Sequence, residues 1–144
     1  MAGAPRPAAQ RWLVLYDADC GFCMWLLAVL LRWDRRGRLR PAPLQGPEAG
    51  ERLAGLDPEE RMASWHLISP DGVRSSGGAA IAPLMRLLPG GGLPAAVFAR
   101  FPAATERGYR WVAENRSGLS RWVPKGSKDR ARESVGEAAG SPGA

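Results

Sequence analysis

Residues 12–23 read WLVLYDADCGFC, and the structural interpretation of the chain starts from this stretch. Its first five residues are apolar and include β-branched and aromatic side chains, which is typical of a strand buried on both faces. An Asp-Ala-Asp turn follows, and residues 21–33 are apolar nearly all round before a basic segment and Gly37. Basic residues at the end of a helix and a glycine just past it are stop signals. The stretch predicts a buried strand followed by a helix, with Cys20 and Cys23 where the helix begins.

The remaining pattern predicts alternating strands and helices. Pro41 and Pro43 place the second strand at a sheet edge, and Asp57 followed by Pro58 is typical of a helix start. The expected elements are a strand at 39–44, helices at 48–53 and from 58, strands at 64–69 and 73–75 joined as a hairpin, a helix ending near 88, and helices at 93–101 and 103–115. This order, β-α-β-α-β-β-α with extra C-terminal helices, indicates an α/β, thioredoxin-like fold.

The length of 144 residues favours a single domain with two loose ends. Residues 1–10 and 125–144 are rich in Ala, Gly, Pro, Ser and charge, so they bury too little apolar surface to offset their ordering entropy. We expect disordered tails there and a folded domain at 11–124. The start of the chain lacks the apolar run of a signal peptide, and the apolar stretch 24–31 is far shorter than the roughly 18 residues of a membrane span. A cytoplasmic protein is the expectation.

The two cysteines, Cys20 and Cys23, are the sharpest functional signal. They cannot complete a zinc site alone, and a disulfide across so short a loop stabilises little. The start of a helix carries unpaired N–H groups and a partial positive charge, which stabilise a thiolate. Because only the thiolate attacks a disulfide, the spacing predicts a redox pair with Cys20 as nucleophile and Cys23 as resolving thiol. Such exchange needs no metal or organic cofactor. Its partners would be a disulfide-containing protein or small thiol, and a dithiol electron donor.

Two carboxylates precede the cysteines, and they have competing roles. A carboxylate beside Cys20 raises the pKa of the thiol, whereas one near the resolving thiol can take its proton as a general base. Capping the helix is the favoured role for Asp19. For Asp17 the spacing leaves capping and general-base catalysis both open.

Two other classes of function compete with redox catalysis. One is a thioredoxin-like interaction module with a vestigial dithiol, for which the pKa of Cys20 would lie near the free value of about 8.5. The other, less favoured, is a nucleic-acid-binding protein, which the net charge of +6 permits. The single histidine, His66, has no partner motif and is given no role.

The segment LYDADCGFC, followed by an apolar helix that ends in WDRRGRLRPAPLQ, resembles the bacterial DCC family of predicted thiol–disulfide oxidoreductases. That family is named for a D-x-x-C-x-x-C motif, which Asp17, Cys20 and Cys23 match. The likeness covers about residues 12–122 and includes YRWVAENR at 109–116. It implies a protein-disulfide reductase-like activity without naming a substrate. Members usually have Gly after the motif Asp, where this chain has Ala18, so a different turn is expected because Ala adopts positive φ poorly.

A second departure concerns the segment before the third strand. Thioredoxins have a cis-proline there, beside the dithiol, whereas this chain has Met62 and Ala63. Either the substrate-binding segment is built differently, or the third strand lies elsewhere in the chain.

Overall fold

The computed structural model describes residues 6–140. A short 3₁₀ turn at Ala8–Gln10 precedes the first strand, and a second one, Gly77–Ala80, leads into α4. The elements follow in the order β1 (Trp12–Tyr16), α1 (Gly21–Trp33), β2 (Leu39–Pro43), α2 (Pro47–Arg52), α3 (Pro58–Ala63), β3 (His66–Ile68), β4 (Arg74–Ser76), α4 (Ile81–Leu87), α5 (Gly92–Arg100), α6 (Pro102–Glu114), α7 (Arg116–Ser120) and α8 (Lys125–Gly140).

The four strands form one mixed sheet in the order β2-β1-β3-β4. Strand β1 pairs in parallel with β2 and antiparallel with β3, so that Val14 lies between Pro41 and Leu67. Strand β4 pairs antiparallel with β3. The central place of β1 explains its unbroken apolar run, and the prolines of β2 are tolerated because that strand lies at an edge. This arrangement confirms the thioredoxin-like α/β fold.

Helices cover both faces of the sheet. On one face Val14, Tyr16 and Leu67 form a core with side chains of α1, α4 and α8. On the other face Leu13, Leu15 and Ile68 pack against α2 and the segment that follows it. Alternate residues of β1 therefore point to opposite cores, as the pleat of a strand requires.

The C-terminal segment corrects one expectation. The prediction of a disordered tail at 125–144 is wrong over Lys125–Gly140, which forms α8 and packs against α1. The mostly polar composition of this segment gave no indication that Ala131 and Val135 form a short apolar stripe. Their i, i+4 spacing places both side chains on one buried face of the helix. Lys128 lies on the same face, and its Cδ is 3.1 Å from where a Cβ of Gly21 would stand. Within the expected tail 1–10, residues 8–10 form the 3₁₀ turn, whereas residues 1–5, like 141–144, lie outside the described residues.

Candidate active site

The dithiol lies where β1 gives way to α1, as the sequence predicts. Cys20 is the N-cap residue of α1, and its Sγ accepts a hydrogen bond from the backbone N–H of Cys23 at 3.3 Å. Both cysteines are free thiols and half-buried. The sulfur of Cys20 thus takes the place that a capping oxygen usually occupies, and it uses an N–H group that the helix leaves unpaired.

The surroundings of the two thiols shift their pKa values in opposite directions. The pKa of Cys20 is lowered from 9.0 to about 6, chiefly because the Cys23 thiol donates a hydrogen bond to it; burial opposes the change. The backbone N–H of Cys23 and the charge of Arg116 lower the pKa of Cys20 further, and Asp17 raises it. The pKa of Cys23 is raised, first because its proton is held by Cys20 and second by burial. Cys20 is therefore the thiol that ionises first.

A polar network holds the turn before the cysteines. Asp17 Oδ1 accepts hydrogen bonds from the backbone N–H of Asp19 and from Gln45 Nε2, both at 2.9 Å. Gln45 also accepts from the backbone N–H of Ala18 at 3.2 Å and lies 3.3 Å from Asp19 Oδ2. The prediction that Asp19 caps α1 is wrong, because Cys20 Sγ occupies the capping position. Ala18 has no positive φ, so its turn is built from ordinary backbone conformations.

Arg116 is the residue of this site that sequence reasoning missed. Its Nη1 lies 3.5 Å from Asp17 Oδ2, and the Asp17 side chain is only 16% exposed. The arginine follows α6, about a hundred residues after the cysteines, so no local spacing relates it to them. The segment YRWVAENR ends on this residue, which was the one available signal. The ion pair holds a cation and a carboxylate side by side next to the dithiol.

A cavity of about 700 Å³ opens beside Cys23. One wall is α1, which presents Phe22, Leu26 and Leu30, and the facing wall is α6. Further lining side chains are mostly apolar and come from the segment 62–65 and from α4 and α5. Asp17, Cys23 and Arg116 contribute polar atoms to the same lining. An apolar cavity with a few polar groups of perturbed pKa is the usual form of a binding site.

Helix α6 is anchored to the 3₁₀ turn Gly77–Ala80. The backbone N–H of Gly78 donates to Glu106 Oε2 at 2.9 Å, and a Cβ on Gly78 would stand 2.7 Å from the Cα of Glu106. Glycine at 78 is therefore required for this approach. Although the apolar and polar residues of α6 are segregated, none of its residues is fully buried. The apolar side of α6 faces the cavity instead of a core.

The segment before β3 differs from that of thioredoxins. Strand β3 begins at His66, within the range predicted from the sequence, so Met62 and Ala63 do precede the third strand. The described residues contain no cis peptide bond. The backbone N–H of Trp65 donates to the Tyr109 hydroxyl at 3.4 Å, and its carbonyl accepts from Gly77 at 3.2 Å. The first alternative is therefore correct: this segment is built differently, with the backbone of Trp65 hydrogen-bonded to α6 and to the 3₁₀ turn that follows β4.

The mixed sheet, with a dithiol at the amino end of its first helix, defines a thioredoxin-like protein of the redox type. A family model for the DCC1-like thiol-disulfide oxidoreductases matches residues 14–122, so the chain belongs to this family. The family suggests that the protein is an oxidoreductase acting on thiols and disulfides. Neither the curated proteins nor the solved structures gave a match.

Residues 6–140 hold neither a cluster of metal ligands nor a helix that could span a membrane. No three His, Cys, Asp or Glu side chains of this part of the chain are grouped so that they could hold a metal ion. Of its helices, none combines the length and the apolar character that crossing a membrane requires.

Proposed function

We propose that the protein is a thiol–disulfide oxidoreductase of proteins or small thiols that works by dithiol–disulfide exchange. The observation that carries the proposal is the position of Cys20 Sγ as the capping acceptor of α1, with the Cys23 thiol donating to it. Its lowered pKa favours this function over that of an interaction module with a vestigial dithiol, whose Cys20 would titrate near the free value.

In the first step, the Cys20 thiolate attacks one sulfur of the substrate disulfide. A bond forms between Cys20 and that sulfur, the substrate S–S bond breaks, and the other sulfur leaves as a thiolate that takes a proton from solvent. The N–H of Cys23 and the charge of Arg116 favour the thiolate before attack. Their effect is to supply reactive sulfur at neutral pH.

In the second step, Cys23 attacks the sulfur of Cys20 and releases the remaining substrate thiol. Cys23 must lose its proton first. Burial raises the pKa of Cys23 in this state too, whereas the hydrogen bond and the charge of the Cys20 thiolate are lost once the mixed disulfide forms. Asp17 lines the same cavity as Cys23 and pairs with Arg116, so it is the proposed proton acceptor. Two electrons pass from the dithiol to the substrate, and an external dithiol reduces the Cys20–Cys23 disulfide afterwards. The cytoplasm is the proposed location.

The test is turnover of a disulfide substrate with dithiothreitol as electron donor, in the wild type, Cys20→Ser and Cys23→Ser. We expect Cys20→Ser to abolish turnover. Cys23→Ser should stop after the first step and accumulate a mixed disulfide on Cys20, visible as an adduct in the intact mass. Activity that survives Cys20→Ser would contradict the assignment of the nucleophile.

A further inference from the structure

The exchange chemistry needs two sulfurs and a proton acceptor, and it leaves the large apolar cavity beside them without a role. Phe22, Leu26 and Leu30 line it at positions i, i+4 and i+8 of α1, so the cavity follows that helix for about 12 Å. Leu26 is 41% exposed and Phe101, on the opposite wall, is 58% exposed. A monomeric protein rarely leaves such surface open unless something binds there.

A glycine in α6 lies at the wall of the cavity and leaves space there. Gly108 lies inside the helix and lines the cavity, and a Cβ added to it would meet nothing within 4 Å. Glycine within a helix costs about 0.5–1 kcal/mol relative to alanine. At Gly78 a neighbouring backbone leaves no room for a side chain, whereas at Gly108 no neighbouring atom excludes one. The absence of a side chain at Gly108 therefore serves to leave space in the cavity beside α1.

The apolar lining of the cavity favours a small apolar molecule over a polypeptide as its ligand. Polypeptide backbone brings N–H and C=O groups that need partners when they leave water. The cavity wall is mostly apolar, and the Trp65 backbone groups, which lie where thioredoxins present the segment next to the dithiol, already bond to Tyr109 and Gly77. A molecule with an apolar body and few polar groups meets no such cost.

We propose that the cavity binds the apolar body of a low-molecular-weight disulfide and so presents its sulfur to Cys20. The inference rests on the proposed function and names its substrate class: an alkyl or aromatic disulfide whose body extends up to about 12 Å along α1. The reacting sulfur lies at the end lined by Cys23, Asp17 and Arg116. The electron balance is that of the two steps above, and the product is an apolar thiol.

The test uses alkyl methanethiosulfonates, with chains from ethyl to octyl, against the intact protein carrying Cys23→Ser. Cys20 thiolate takes the alkylthio group, a Cys20–S–S–alkyl bond forms, and methanesulfinate leaves. The rate of adduct formation is followed by mass and divided by the rate with free 2-mercaptoethanol. We expect at least a tenfold rise from ethyl to octyl, since each buried methylene contributes up to about fourfold.

Two glycine replacements, made in the same background, distinguish the cavity from general reactivity. Gly108→Leu fills the cavity and should reduce the octyl rate at least fivefold more than the ethyl rate. Gly136→Leu is the matched control, because Gly136 also lies in a helix with open space around its Cβ position but does not line the cavity. It should change neither rate. If Gly108→Leu fails to fold, Ala104→Leu, about one turn earlier on the same wall, gives the same test.

The outcomes separate the inference from the proposed function. A flat dependence on chain length with a reactive Cys20, or an equal loss at every chain length in Gly108→Leu, overturns the inference and leaves the exchange chemistry intact. If a disulfide-linked apolar peptide reacts faster than the octyl reagent and loses that advantage in Gly108→Leu, the occupant is a polypeptide and the proposal is wrong. Failure of Cys20 to react with any reagent overturns both.

Discussion

The hydrogen bond from Cys23 to Cys20 can be tested by a pair of substitutions at Cys23. Cys23→Ala removes the side-chain donor, which is the largest cause of the lowered pKa of Cys20, whereas Cys23→Ser retains a donor. We expect the pKa of Cys20 to rise from about 6 toward 9.0 in Cys23→Ala and by less in Cys23→Ser. The pKa of Cys23 is itself raised, so the first ionisation of the wild type reports Cys20.

The expected effect on rate follows from two opposing factors. At pH 7 a thiol of pKa about 6 is roughly nine-tenths ionised, and one of pKa 9.0 is roughly one-hundredth ionised. The less basic thiolate is intrinsically slower by about 16- to 32-fold over this interval, for a Brønsted slope of about 0.4–0.5. A full return to 9.0 would leave the wild type about three- to sixfold faster at pH 7, and Cys23→Ala about 14- to 29-fold faster at pH 10.

The assay is the rate of iodoacetamide alkylation as a function of pH, with thiolate absorbance in the ultraviolet as a second reading of the same ionisation. The rate profiles of the wild type and Cys23→Ala should cross between neutral and alkaline pH. A wild-type midpoint near 9, or superimposable profiles for the wild type and Cys23→Ala, would refute the account of how Cys20 is activated.

Three further outcomes follow from other contacts. In Asp17→Asn, the attack of Cys23 on the Cys20 mixed disulfide should slow at least tenfold, because the carboxylate is the proposed proton acceptor for Cys23. The first attack by Cys20 should not slow, because Asp17 raises the pKa of Cys20. Stopped-flow measurement of each step checks this, and equal slowing of both would count against it. Val135→Ala should lower the free energy of unfolding by about 2 kcal/mol in denaturant titration, because Val135 is fully buried on the inner face of α8. An unchanged midpoint would mean that this face of α8 contributes no stability. Burial lowers the pKa of His66 below 6.5, so the folded state binds fewer protons than the unfolded state as the pH falls, and the stabilisation should be complete above pH 6.5 and be lost below it. The melting temperature of His66→Gln should lack this dependence on pH, and an unchanged dependence would mean that another group causes it.

Local signals in the sequence were sufficient for the fold around the dithiol. The apolar run at 12–16, the prolines of β2 and the Asp57-Pro58 start of α3 act over a few residues, and the structure follows each of them. The strand and helix that carry Cys20 and Cys23 were predictable for the same reason.

Contacts between distant segments were not predictable. Gln45, just after β2, and Arg116, at the start of α7, both contact Asp17, and the spacing of residues in the sequence does not indicate such contacts. The cap on α1 was misassigned because Asp19 has the usual capping side chain, while the sulfur of Cys20 took the position. Helix α8 was missed because a polar, glycine-rich composition outweighed two apolar residues one turn apart.

The contact between Lys128 and Gly21 restricts the direction from which the sulfurs can be reached. Gly21 lies between the two cysteines, and the side chains of Lys128, Arg132 and Ser120 stand within 4 Å of its Cβ position. This flank of the dithiol is thus shielded by the protein's own C-terminal helices, while the opposite flank opens toward α6. A substrate disulfide therefore has its free line of approach on the side of the cavity, where α1 and α6 leave room for it.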